Sequence, residues 1–182
     1  MYFEPTDIHD IIVIESEIYE DDRGFFTELF NAGDFENAGI AAEFVQENIS
    51  RSCRGVLRGM HYQIRQAQGK LIGVLGGEVF DVSLDIRRSS ATFGKWVGVN
   101  LSADNRRQLW IPPGFAHGFY VLSEWADVRY LTTDFYAPQW ERTILWNDPA
   151  LGIAWPLTNS SQPILSLKDA EGQPLSQAEL FD

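Results

Sequence analysis

The sequence predicts an all-β fold, a sandwich or barrel with a few short helices at most. Short apolar runs recur at roughly ten-residue spacing, separated by turn-forming residues. Stretches with an amphipathic helical period are scarce. Residues 78–86, EVFDVSLDI, alternate: Phe80, Val82, Leu84 and Ile86 share one face, and Asp81, Ser83 and Asp85 share the other. That pattern predicts a strand with one dry and one polar side.

In chain order, strands are expected over 11–18, 25–30, 43–50, 55–63, 70–76, 78–86, 96–101, 108–111, 117–122 and 127–134. Between them, EDDRG, LGGE, RRSSATFG, SADN, IPPG and YAPQ supply the Gly, Pro, Asn, Asp and Ser that tight turns require. Residues 33–39 are expected to form a short helix. The chain from about 145 to 182, rich in Pro, Gly and Trp, is expected to be ordered coil wrapping the core. A length of 182 residues suits a single domain, 1–182. Six tryptophans and twelve phenylalanines give that core its bulk.

The formal net charge of −12 argues against non-specific binding to nucleic acid or to an anionic membrane. A local basic cluster, Arg51, Arg54 and Arg58 with Lys70 further on, still leaves room for an anionic small ligand. The first nineteen residues carry acids and only a four-residue apolar run, which is neither a signal peptide nor a membrane span. The lone cysteine, Cys53, has no partner within the chain, so a reducing cytoplasmic setting is expected.

No phosphate-binding loop, dinucleotide fingerprint, H-E-x-x-H or C-x-x-C occurs. His9, His61 and His117 are widely spaced with no H-x-H pair, so no metal site is expected. The remaining groups with acid–base potential are His61, Lys70, Asp81, His117, Tyr130 and Asp169. Spacing alone does not decide among them. A lone strand histidine is more often a structural residue, a strand tyrosine a core aromatic, and an aspartate in LSLKDAEG a turn residue.

Several longer stretches carry a resemblance. DDRGFFTELF (21–30), VQENIS (45–50), GVLRGMHYQ (55–63), QGKLIGVLGGEVFDVSLDIRRSSATFGKW (68–96), LSADNRRQLWIPPGFAHGFYVLSE (101–124), YLTTDFYAP (130–138), WNDPALGIAWP (146–156) and LSLKD (165–169) resemble, in this order and spacing, the dTDP-4-dehydrorhamnose 3,5-epimerases. The resemblance implies a cupin (double-stranded β-helix) jelly roll, a homodimer, and no metal or other cofactor. It implies epimerisation of dTDP-4-dehydro-6-deoxy-D-glucose at C3 and C5 to dTDP-4-dehydro-L-rhamnose.

By the same resemblance His61 is the base, Asp169 its carboxylate partner, Lys70 the cation beside the enolate oxygen and Tyr130 the acid on the far face. Nucleotide, diphosphate and sugar would be held by Arg23, Phe26, Glu28, Gln46, Asn48, Arg58, His117, Tyr136, Glu141 and Lys168. The residue types suit the chemistry. An imidazole titrates near working pH, a phenol stays protonated there, and arginine makes bidentate contacts to phosphate.

Two features stand against a simple reading. Strict alternation over 55–63 puts Arg58 and His61 on opposite faces, whereas the resemblance wants both in one pocket; a bulge at Gly59 would reconcile them. Gly73 stands where a basic residue is expected, so a ligand or interface contact is expected to be missing there. Met60, Leu131 and Phe135 also depart from the commoner leucine, lysine and tyrosine.

Overall fold

The structure is a computed structural model and describes residues 1–157 and 162–182. In chain order the strands are β1 (Tyr2–Pro5), β2 (Ile12–Glu15), β3 (Ile18–Asp21), β4 (Gly24–Thr27), β5 (Gln46–Cys53), β6 (Leu57–Gln63), β7 (Lys70–Gly76), β8 (Glu78–Asp85), β9 (Trp96–Ser102), β10 (Gln108–Ile111), β11 (Phe115–Val121), β12 (Trp125–Thr132) and β13 (Glu141–Thr143). Two short helices join them, α1 (Ala32–Asn37) and α2 (Leu167–Ala170). A six-stranded sheet runs β1-β2-β10-β7-β12-β5, a five-stranded sheet runs β13-β6-β11-β8-β9, and β3 and β4 pair as a hairpin. Antiparallel sheets whose neighbours are mostly non-sequential give the expected jelly roll.

Three apolar layers hold the sheets. Between them, Ile72, Val74, Leu109, Ile111 and Val128 of one sheet meet Val79, Leu101, Phe119 and Val121 of the other. Outside the six-stranded sheet, Leu71, Trp110 and Leu131 pack against Phe35 of α1, with Phe3, Phe30 and Phe44 around it. Outside the five-stranded sheet, Val82, Leu84 and Ile86 are covered by Trp155, Leu157, Leu165, Leu175 and Phe181 of the C-terminal segment. Residues 158–161 of that segment lie outside the described residues.

The cover corrects one expectation. β8 alternates as predicted, yet it has no wet side: Asp81, Ser83 and Asp85 are as fully buried as Val82 and Leu84. The apolar face lies under the C-terminal segment and the polar face points between the sheets. There Asp85 is matched by Arg87, Ser90 and Thr92, whose contacts at 2.6–2.9 Å satisfy its carboxylate.

Boundaries moved in explicable ways. The run 11–18 is broken after β2, and its last residue starts β3. β5 begins three residues later than expected and β12 two residues earlier. β1, β13 and α2 were not expected; the strands are only four and three residues long and the helix four, too short for a periodic signal.

At Gly59 the predicted bulge is present. On β11 one residue, Gly118, separates His117 from Phe119, while on β6 two residues, Gly59 and Met60, separate Arg58 from His61. The extra residue breaks the alternation that would send Arg58 and His61 apart. Both sides of the pairing need glycine. A Cβ on Gly59 would sit 2.4 Å from Gly118 Cα, and one on Gly118 would sit 2.8 Å from the Arg58 carbonyl oxygen. Gly59 also takes φ +135°, a backbone region glycine enters freely.

Candidate active site

One end of the space between the sheets is apolar; the other opens as a polar cleft of about 380 Å³. β5 lines it with Gln46, Asn48 and Ser50, β7 with Lys70, and β12 with Tyr130 and Thr132. From the other sheet come Arg58 and His61 of β6 and His117 and Phe119 of β11. Tyr136, Glu141 and Lys168 close the rim. Ten of the residues singled out in the sequence thus share one cavity.

His61 is hydrogen-bonded through Nε2 to Oδ1 of the buried Asp169. Asp169 sits in α2, whose N-cap Ser166 accepts from the Asp169 amide at 3.2 Å and donates to Asp169 Oδ2 at 2.7 Å. The short helix therefore serves to aim one carboxylate. Burial works to raise the Asp169 pKa, but hydrogen bonds from His61, Ser166 and the Gly59 amide outweigh it, so the group is held below the ordinary carboxylate range. Burial pushes the His61 pKa down, and Lys168 and Lys70 push the same way, against the pull of Asp169. A neutral imidazole facing an ionised carboxylate keeps its proton on Nε2, which leaves Nδ1 as the basic atom.

Lys70 donates to the His61 carbonyl oxygen at 3.3 Å. Burial lowers its pKa to about 8, with Glu141 and Asp81 opposing. The ammonium form still prevails at neutral pH, a positive charge held in a partly dry site. Across the cleft, burial raises Tyr130 to about 12, so its hydroxyl keeps its proton. That hydroxyl lies 2.9 Å from Ser50 Oγ. His117, buried, bonds Asp81 Oδ2 at 2.8 Å through Nε2.

The polar residues around the rim are held in a connected frame. Arg58 Nε donates to Ser52 Oγ at 2.9 Å. Lys168 pairs with Glu141 at 2.8 Å, and the Tyr136 hydroxyl donates to the same carboxylate at 3.0 Å. The Tyr136 amide donates to Gln46 Oε1 at 3.0 Å.

Three candidates lie elsewhere. Arg23 and Phe26 line a depression on the β3–β4 hairpin, where Arg23 is paired with Asp21, and Glu28 accepts from Asn31 at 3.2 Å. Gly73 faces a small cavity on the outer side of the six-stranded sheet, with Phe25 and Arg106, and does not line the cleft. Sequence reasoning missed Ser50, Ser52, Gln68 and Ser166. The first two were readable, since Gln46, Asn48, Ser50 and Ser52 fall at period two on one face of β5. Among the described residues, no group of three or more His, Cys, Asp or Glu is placed to hold a metal ion.

Comparison with known proteins gives a consistent result. Residues 5–177 match the family described as dTDP-4-dehydrorhamnose 3,5-epimerase. The chain is 59% identical to the dTDP-4-dehydrorhamnose 3,5-epimerase of Pseudomonas aeruginosa, over 96% of each chain. It superimposes on the dTDP-6-deoxy-D-glucose-3,5-epimerase of Legionella pneumophila, solved with dTDP-4-keto-L-rhamnose, at TM-score 0.95 and 54% identity, covering 98% of this chain and 94% of that one. It is also similar to ChmJ, a 3'-monoepimerase from Streptomyces bikiniensis solved with dTDP-quinovose, at TM-score 0.88 and 34% identity, covering 94% and 87%.

Proposed function

The chain belongs to the dTDP-4-dehydrorhamnose 3,5-epimerase family, and on that premise we propose how its cleft performs the reaction. It is an isomerase that converts dTDP-4-dehydro-6-deoxy-D-glucose to dTDP-4-dehydro-L-rhamnose, in dTDP-rhamnose biosynthesis. C3 and C5 both flank the C4 ketone, so loss of a proton from either gives an enolate, and return of a proton on the other face inverts the centre.

One observation carries the assignment of roles: His61 and Tyr130 enter the same cleft from opposite sheets. A base and an acid on opposite sides of a sugar are what inversion needs. His61 takes the carbon-bound proton and becomes imidazolium, stabilised by Asp169 as in other His–Asp pairs. Lys70 stabilises the enolate oxygen, an effect worth roughly 3 kcal/mol for one well-placed donor. Tyr130 gives its proton to the opposite face and is left as phenolate. A carbon acid is far weaker than a phenol, so this transfer runs downhill. Before the next inversion His61 releases its proton to water and Tyr130 regains one.

Gln46, Asn48, Arg58, His117, Tyr136, Glu141 and Lys168 hold the dTDP portion and sugar, with Arg58 suited to the diphosphate. Arg23, Phe26 and Glu28 act in a homodimer, where the hairpin reaches the partner's cleft. Supporting this, Tyr19, Phe25 and Phe26 of the hairpin are 57%, 58% and 68% exposed. We read the chain as one domain, since the C-terminal segment closes the five-stranded sheet. We assign it to the cytoplasm, where the exposed Cys53 stays reduced; among the described residues no helix is long and apolar enough to cross a membrane.

Proton NMR of the substrate with the enzyme in D2O, in the presence of a chelator, tests the reading. Deuterium is expected at both C3 and C5. Exchange at C3 alone would make this a monoepimerase like ChmJ, and binding without exchange would make it a sugar-nucleotide receptor.

A further inference from the structure

We propose that Ser50 is a positioning residue for the acid: its hydroxyl donates to the Tyr130 oxygen, frees the phenol proton for substrate, and stabilises the phenolate left behind. The proposal rests on reading Tyr130 as the acid. Among the described residues, the Tyr130 hydroxyl hydrogen-bonds to Ser50 alone, at 2.9 Å. Both side chains line the cleft. They stand diagonally on paired strands, since Tyr130 is opposite Asn48 and Ser50 opposite Val128.

A hydroxyl has one proton and two lone pairs. If Tyr130 donates to Ser50, its proton is spent on the protein. If Ser50 donates to Tyr130, the phenol proton is free to point at the sugar. The second arrangement also meets the product of the step, because the phenolate then already holds a hydrogen bond. Ser50 opposes the burial that makes Tyr130 a weak acid.

The same contact gives the phenolate a way back. Ser50 is half-buried on β5, the edge strand of its sheet. It can pass its proton to the phenolate while taking one from water. With His61 returning its own proton to water, the cycle closes with no net gain or loss.

Ser50→Thr and Ser50→Val separate the hydroxyl from the shape, because the two side chains match in size and suit a strand. Inversion at C3 and at C5 is followed for each by proton NMR of the product, with KM and dTDP affinity as controls. The Val variant is expected to slow inversion by roughly 10- to 100-fold, the worth of one hydrogen bond to a charged group, with KM and dTDP affinity near the parent. The Thr variant should stay close to the parent. In a Tyr130→Phe background, Ser50→Val should add nothing. Equal losses in Thr and Val, no loss in Val, or a full further loss on top of Tyr130→Phe would overturn the proposal. Failure of the underlying reading looks different: Tyr130→Phe alone would leave inversion intact at both centres.

Discussion

The proposed role of His61 as base needs a neutral imidazole, and burial favours that form. His61→Ala is expected to abolish deuterium exchange at both carbons while leaving dTDP affinity nearly unchanged; substantial residual exchange would remove His61 from the role. The pH profile of kcat/KM follows from the two cationic groups. The shifted His61 pKa lies below its ordinary value, so the acid limb should fall below about pH 6.5, with activity rising as the imidazole loses its proton. In the proposed role Lys70 works as an ammonium, present below its pKa of about 8 and lost above it, so activity should decline as pH rises through about 8. Lys70→Gln should lower the rate and erase that alkaline decline. A decline that survives the substitution would belong to another group.

The β6–β11 pairing shows how one element decides whether the residues above can meet. Gly59→Ala places a Cβ 2.4 Å from Gly118 Cα in a left-handed backbone. Denaturant unfolding should show a loss of about 2 kcal/mol or more, and a loss near zero would mean that the bulge relaxes freely. The bulge was legible because two independent requirements conflicted over 55–63 and a glycine sat between them. Other parts were not. The alternation of β8 was read correctly, but the burial of its polar face depends on a C-terminal segment that has no periodicity of its own. Asp169 looks like a turn residue in LSLKDAEG, and only the resemblance pointed from it to His61. Its position depends on a four-residue helix and a serine cap, neither of which leaves a helical period in the sequence. Ser50 was readable from the period-two row of β5, but the expected strand stopped at residue 50, which left Ser52 outside it and the row one member short.

At the scale of the whole molecule, Arg58, Lys70 and Lys168 converge on one cleft in a chain of net charge −12, a local positive field suited to the dTDP-sugar of the proposed reaction. At 0.15 M salt the charges elsewhere are screened over about 8 Å. What the single chain leaves unexplained is the hairpin, whose Arg23 and Phe26 line a separate depression and not the cleft of their own chain. If the hairpin completes the partner's cleft, each site in a homodimer draws on two chains. Mixing then becomes a test. Take His61→Ala as one chain and the Arg23→Ala, Phe26→Ala double variant as the other, each inactive or nearly so alone. In a heterodimer the second chain contributes an intact cleft and the first an intact hairpin, so one of its two sites is whole. Equal mixing with free exchange makes half the dimers mixed, and activity should recover to about a quarter of the parent. Recovery requires sites shared between chains. If the mixture shows only the sum of its parts after subunit exchange has been verified, the hairpin serves its own chain and no site is shared.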